Sequence, residues 1–174
     1  MKLLITGADG YIGSELSCCL EELGKYSLIK LSRTPSLLKN LILSPELSTN
    51  GDWERVLADV SVIVHLAGRA HMLNDNVLNP LTEFRRVNME GTLNLAKQAI
   101  KQGVKRFVFI SSLGVNGNNN KQPFIELDTP NPQEPYAISK LEAERGLLAL
   151  AKESSLEVVI IRPPLVYGPN VKGN

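Results

Sequence analysis

Tyr136 and Lys140 stand four residues apart in Tyr136-Ala137-Ile138-Ser139-Lys140, where a helical pattern begins. Side chains at i and i+4 share a helix face, so a phenol and an ammonium can address one ligand. A tyrosine that works as a base near neutral pH must release a proton whose reference pKa is about 10. A neighbouring ammonium and the positive end of a helix both favour the phenolate. Tyr136 is thus a candidate general base or acid, with Lys140 tuning it. Upstream, an apolar run ends in Ile110-Ser111-Ser112, and the Ser112 hydroxyl can donate to a substrate oxygen or to the tyrosine oxygen. Taken singly these are common features: YxxxK occurs on many surfaces, and a serine after a strand often caps a turn.

A second pattern gives the pair something to act on. Thr6-Gly7-Ala8-Asp9-Gly10-Tyr11-Ile12-Gly13 follows the first apolar run directly and opens a helix. In such a turn Gly7 reverses the chain, Gly10 admits a pyrophosphate to the backbone, and Gly13 lets helix and strand pack closely. The helix N-terminus, with the backbone of Tyr11 and Ile12, offers N–H groups to phosphates. The turn therefore predicts a bound dinucleotide, and an oxidised nicotinamide ring would further favour the Tyr136 phenolate. The next apolar run ends in Leu31-Ser32-Arg33-Thr34, without the acidic residue that usually accepts from the ribose hydroxyls of NAD. Ser32 and Arg33 can instead hold a 2′-phosphate by charge-assisted hydrogen bonds, which tilts the expectation from NAD toward NADP. A solvated surface arginine is the plainer alternative.

The elements that must position these groups alternate. Strands are predicted at Lys2–Thr6, Ser27–Leu31, Leu41–Leu43, Ser61–Ala67, Arg106–Ser111 and Glu157–Arg162. Helices are predicted at Tyr11–Gly24, Asp52–Ala58, Pro80–Gln102 and Pro135–Ser154. Val62-Ile63-Val64 and Phe107-Val108-Phe109-Ile110 are continuously apolar, as strands covered on both faces should be. Gly24 and Gly103 sit where helices end, and Pro80 and Pro135 suit first turns. Strands separated by helix-length connections require a parallel sheet, so the fold class is α/β, a doubly wound Rossmann sheet of six strands. Residues 1–174 read as one domain. The polar, breaker-rich stretch Gly114–Asn131 can hold neither helix nor strand and serves as a mobile connection or a binding loop.

Composition removes other classes. Of 174 residues, 43% are hydrophobic and 21% charged, and 19 Lys+Arg against 18 Asp+Glu leave a formal charge of +1. That balance provides no field for nucleic acid. No apolar run reaches the ~18 residues of a membrane span, and the N-terminus turns polar too early for a signal peptide. The adjacent Cys18 and Cys19 are poorly placed to bridge, and no metal-ligand spacing occurs. No metal, no nucleic acid, no membrane and a reducing, cytoplasmic setting are the expectations.

Taken together, the sequence resembles the extended short-chain dehydrogenase/reductase family, in particular its nucleotide-sugar epimerase/dehydratase group. The stretches that carry the resemblance are Thr6–Gly13, His65–Gly68, Val87–Thr92, Phe107–Ser112, Tyr136–Lys140 and Arg162–Pro169. The resemblance implies that Tyr136, Lys140 and Ser112 are catalytic, Lys140 also holding the nicotinamide ribose. It implies that Leu66, Ala67 and Gly68 lie beneath the adenosine and ribose, that Asn88 orders the site, and that Pro163 lies near the nicotinamide. Glu46 is the expected acceptor for the adenine amino group, with Asp52 read as a helix cap. Arg69 and His71 are candidates to face a sugar or its phosphates. The implied substrate is a nucleotide sugar. The implied activity is epimerisation through hydride transfer, with an NADPH-dependent 4-keto reductase and a binding module without turnover as alternatives. Family members continue into a smaller substrate region, so this chain is expected to be the N-terminal part of a longer enzyme. Leu147, Leu148 and Leu150 serve equally for packing on the sheet or for the homodimer that the family forms through its two long helices.

Overall fold

The computed structural model describes residues 1–36, 40–70, 79–168 and 171. The elements run β1 (Lys2–Thr6), α1 (Tyr11–Leu23), β2 (Ser27–Ser32), β3 (Ile42–Leu43), α2 (Glu54–Leu57) and β4 (Val62–His65). A long helix follows in three parts: α3 (Pro80–Phe84), a π-helical stretch (Arg85–Gly91) and α4 (Thr92–Lys101). Then come β5 (Arg106–Ile110), a 3₁₀ turn (Leu113–Val115), α5 (Pro135–Lys152) and β6 (Glu157–Ile161). Every predicted element is present, with ends shifted by no more than two residues. The π-helical stretch was not expected, because apolar spacing records which face is buried and not how many residues each turn holds. The predicted helix at Asp52–Ala58 shrinks to one turn: Trp53 and Leu57 are fully buried and pin it, and Asp59 leaves with φ +61°.

All strand pairings are parallel, in the order β3-β2-β1-β4-β5-β6. The chain thus builds outward from β1 in one direction, then crosses back to place β4 on its other side. In open α/β sheets a ligand crevice forms beyond the carboxyl ends of the strands at that reversal. Buried apolar side chains lie on both faces. Trp53, Leu57, Leu95, Ala99, Ala143 and Leu147 pack around Leu4, Ile63, Phe107 and Phe109, while Ile5, Ala8 and Leu41 meet Leu20 of α1. The three α5 leucines divide: Leu147 is in the core, Leu150 packs against it, and Leu148 is exposed. Packing on the sheet therefore accounts for two of them.

Candidate functional site

The cavity at the β1/β4 reversal measures about 1160 Å³. Gly7, Gly10, Tyr11, Ile12 and Gly13 form one wall, Tyr136 and Lys140 another, and Ser112 and Pro163 the end of β5 and β6 between them. Arg33, Leu66 and Gly68 complete the expected residues that line it. The phosphate-type turn and the phenol–ammonium pair thus open onto one space.

The turn is built from backbone. Gly7 has φ +68°, and its carbonyl accepts from the Gly10 N–H at 3.0 Å. Helix α1 begins without a side-chain cap and without an acidic residue in its first turn. Its N-terminus keeps donors and positive potential for an anion at the cavity wall.

Asn88 sits inside the π-helical stretch and is buried. Its Oδ1 accepts from the Arg69 N–H at 2.8 Å, and its Nδ2 donates to the Arg69 carbonyl at 3.0 Å and to Ser139 Oγ at 3.1 Å. Asn88 is therefore a brace between the segment after β4 and helix α5, and it does not line the cavity itself. An extra residue per turn in a helix often marks a functional position.

Burial pushes the Tyr136 phenol up from its ordinary value. The Lys140 ammonium lies over the Phe109 ring, 4.1 Å from its centroid. Burial also lowers Lys140, to about 7, with Glu144 opposing. The Lys140 ammonium makes no hydrogen bond to any described residue. Tyr136 packs edge-on against Phe84, with ring centroids 5.9 Å apart. Beneath them His65 is fully buried between Phe107 and Phe109. Its ring nitrogens meet Thr6 Oγ1 at 2.7 Å and Thr92 Oγ1 at 2.9 Å. Burial holds it down at about 3, so it is a neutral structural pin.

Three other expected coenzyme residues also lie off the cavity. Ser32 is buried, and its hydroxyl accepts from the Thr34 N–H, which leaves Arg33 as the exposed cation at that wall. Glu46 is exposed and pairs with Arg86 at 3.3 Å, while Asp52 is not the cap it was expected to be: the α2 cap is Trp53, and Asp52 Oδ1, one residue before it, accepts from the Glu54 N–H. Ala67 donates its N–H to Thr6 Oγ1 at 3.1 Å. His71 lies outside the described residues. Ser112 accepts from the Gly114 N–H at 3.2 Å and so also caps its turn.

Two features went unforeseen. Ser111 lines the cavity with a buried hydroxyl that has no partner among the described residues; its adjacency to Ser112 was the available signal. The segment after β6 wraps over the turn: Pro164, Leu165 and Val166 join the wall, and a Cβ on Gly168 would stand 2.6 Å from Tyr11 Oη. The paired prolines Pro163-Pro164, which keep the chain extended, were the trace of that strap.

A parallel sheet whose reversal point carries a glycine turn at a helix N-terminus defines a dinucleotide-binding Rossmann-type fold. The model of the NAD dependent epimerase/dehydratase family matches residues 3–174, and the chain belongs to that family. It is 45% identical over 178 aligned residues to a UDP-glucose 4-epimerase of Vibrio cholerae, covering 99% of this chain and 54% of that protein. A UDP-glucuronic acid 4-epimerase of Bacillus cereus, solved with NAD, superposes with TM-score 0.82 at 26% identity, over 99% of this chain and 59% of that one. RMD of Pseudomonas aeruginosa, solved with NADPH, gives 0.73 at 26% identity, over 94% of this chain and 54% of that one. The chain thus spans about half the length of these curated relatives. No described helix is long and apolar enough to cross a membrane.

Proposed function

We propose that these residues form the coenzyme-binding and catalytic half of a nucleotide-sugar epimerase-type oxidoreductase. The observation that carries the reading is the convergence of the glycine turn and the Tyr136–Lys140 pair on one cavity. The site fits a nicotinamide dinucleotide: the uncapped α1 terminus suits its pyrophosphate, and the Lys140 ammonium, which donates no hydrogen bond to a described residue, suits its ribose hydroxyls. When bound, that coenzyme supplies the hydride acceptor at a sugar carbon.

Tyr136 takes the proton from the sugar hydroxyl at its Oη. In the free protein the phenol is held protonated by burial, so the base forms only when positive charge comes close to it. Ser112 donates to the sugar oxygen while its own turn is fixed by the Gly114 N–H. Asn88 keeps the Arg69 backbone and Ser139 in register, and Ser139 in turn donates to the Tyr136 carbonyl at 2.7 Å. An epimerase returns hydride to the opposite face and keeps the coenzyme.

A net 4-keto reductase consuming NADPH is the second reading, favoured by Arg33 on the cavity wall with no acidic residue beside it. Two incubations separate them: stoichiometric loss of nicotinamide absorbance from NADPH with a 4-keto-sugar nucleotide means reductase, and isomer formation from a hydroxyl-sugar nucleotide with NAD, without net change in absorbance, means epimerase. Tyr136→Phe should abolish turnover while NADH or NADPH still binds. Unchanged turnover in that variant would remove Tyr136 from the mechanism, and a wild-type chain that binds neither coenzyme would remove the whole reading. Exposed Leu148 supports a homodimer through α4 and α5, which gel filtration at low concentration checks.

A further inference from the structure

Three separate segments carry the cavity wall, and one buried polar network joins them from behind. Glu144 stands one helical turn beyond Lys140 on α5 and is 2% exposed. Its carboxylate accepts from Arg162 Nε at 3.0 Å and from Nη2 at 2.5 Å. Arg162 directly follows β6 and directly precedes Pro163. Its remaining nitrogen, Nη1, donates to Asn116 Oδ1 at 3.1 Å, and Asn116 ends the turn that Ser112 begins. Backbone bonds run in parallel: Ser111 N–H to the Ile161 carbonyl at 2.7 Å, and Leu113 N–H to the Pro163 carbonyl at 3.0 Å.

Stability alone is a weak reason for such a pair. Desolvating two charges offsets most of their attraction, and apolar residues of similar volume often serve as well or better. A bidentate pair does fix direction and spacing, because planar guanidinium and carboxylate match in only one geometry. It also sets a negative charge behind the lysine. The charged and titratable groups around Lys140 are Tyr136 and Glu144 on its own helix, neutral His65 on β4 under the Phe109 ring, and Arg162 on the far side of Glu144. From the π-helical stretch, Arg85 is matched by Glu142 at 2.6 Å. Glu144 is the group that counters the burial of the ammonium.

We propose that Glu144, clamped by Arg162, is a positioning residue for this site, fixing the Ser112 and Pro163 segments against α5 and holding a carboxylate one helical turn from Lys140. The inference rests on the Tyr136–Lys140 reading given above. NMR of protein carrying ¹³C at lysine Cε, with Lys140 assigned by its loss in K140M, reads the ammonium directly. NADH fluorescence reads binding alongside. In E144Q the Lys140 titration midpoint should fall by about half a pH unit or more, the scale of losing a nearby opposite charge, and NADH should bind at least about threefold more weakly. E144D should recover most of both, and it replaces E144Q if that variant does not fold. A Lys140 midpoint unchanged in a folded, NADH-binding E144Q overturns the proposal alone. Absence of NADH binding in the wild-type chain overturns the site reading and this inference with it.

Discussion

Replacing Gly13 by alanine sets two effects of opposite sign against each other. Gly13 lies in the first turn of α1, where alanine is favoured over glycine by about 1 kcal/mol of helix propensity. Its new Cβ, however, would stand 2.1 Å from the Gly7 carbonyl oxygen and 2.9 Å from Ala8 Cα. These are main-chain atoms, so no side chain can swing away. The Gly7 carbonyl is further held by the Gly10 N–H at 3.0 Å. Overpacking of this kind costs ~1–3 kcal/mol, toward the upper end when only backbone can yield, so the net loss is about 2 kcal/mol. Gly10 is the control, since a Cβ there meets only the Gly7 oxygen, at 3.1 Å. Gly10→Ala should lose less than about 1 kcal/mol of stability yet weaken coenzyme binding, because its methyl sits on the pyrophosphate wall. Trp53 is the sole tryptophan and fully buried, so its fluorescence reports urea unfolding. With a urea slope near 2 kcal/mol per M, Gly13→Ala should lower the midpoint by about 1 M. A midpoint equal to wild type, or a larger drop in Gly10→Ala than in Gly13→Ala, would refute the close-packing argument.

Three other expectations concern charge. Lys140 titrates at about 7 in the fold against 10.5 for the free side chain, so the folded state disfavours its charged form. That penalty is complete below pH 7 and fades as pH rises toward 10.5. Lys140→Met should therefore stabilise the fold by on the order of 2 kcal/mol at pH 6 and by much less at pH 10, as urea midpoints at the two pH values would show. His65 falls from 6.5 to about 3, so stability is fully present above pH 6.5 and is lost progressively toward pH 3. His65→Gln should flatten the stability curve between pH 6.5 and 4, and an equally steep curve in the variant would count against the buried neutral ring. Arg33→Ala should weaken NADPH binding by about tenfold or more and NADH binding little, the scale of a lost charge-assisted contact; equal effects on both coenzymes would make the arginine mere solvated surface.

Much of this was legible in the residues, for identifiable reasons. A parallel strand buried on both faces leaves a continuous apolar run, which is why Phe107–Ile110 was placed without ambiguity. The glycine turn was legible because its requirement is steric and admits few substitutes. Its junction with Tyr136 followed from the rule that ligands lie beyond the carboxyl ends of strands. What stayed hidden depends on side-chain direction. Nothing in Lys140 itself shows that its ammonium rests on the Phe109 ring, nor in Ser32 that its hydroxyl is taken by the Thr34 N–H. Glu46 was chosen by distance along the chain, while the position of Arg86, a helix away, decides its partner.

The π-helical stretch from Arg85 to Gly91 changes the phase of the long helix midway. A regular α-helix advances about 100° per residue, so one surplus residue rotates everything downstream by that angle. Upstream of it Phe84 can meet the tyrosine ring, and downstream Leu95 and Ala99 can still face the sheet. A single rod thereby obeys two masters, the cavity edge at one end and the hydrophobic layer at the other. Loss of one residue within the stretch would leave a perfectly good helix whose two ends could no longer both be right.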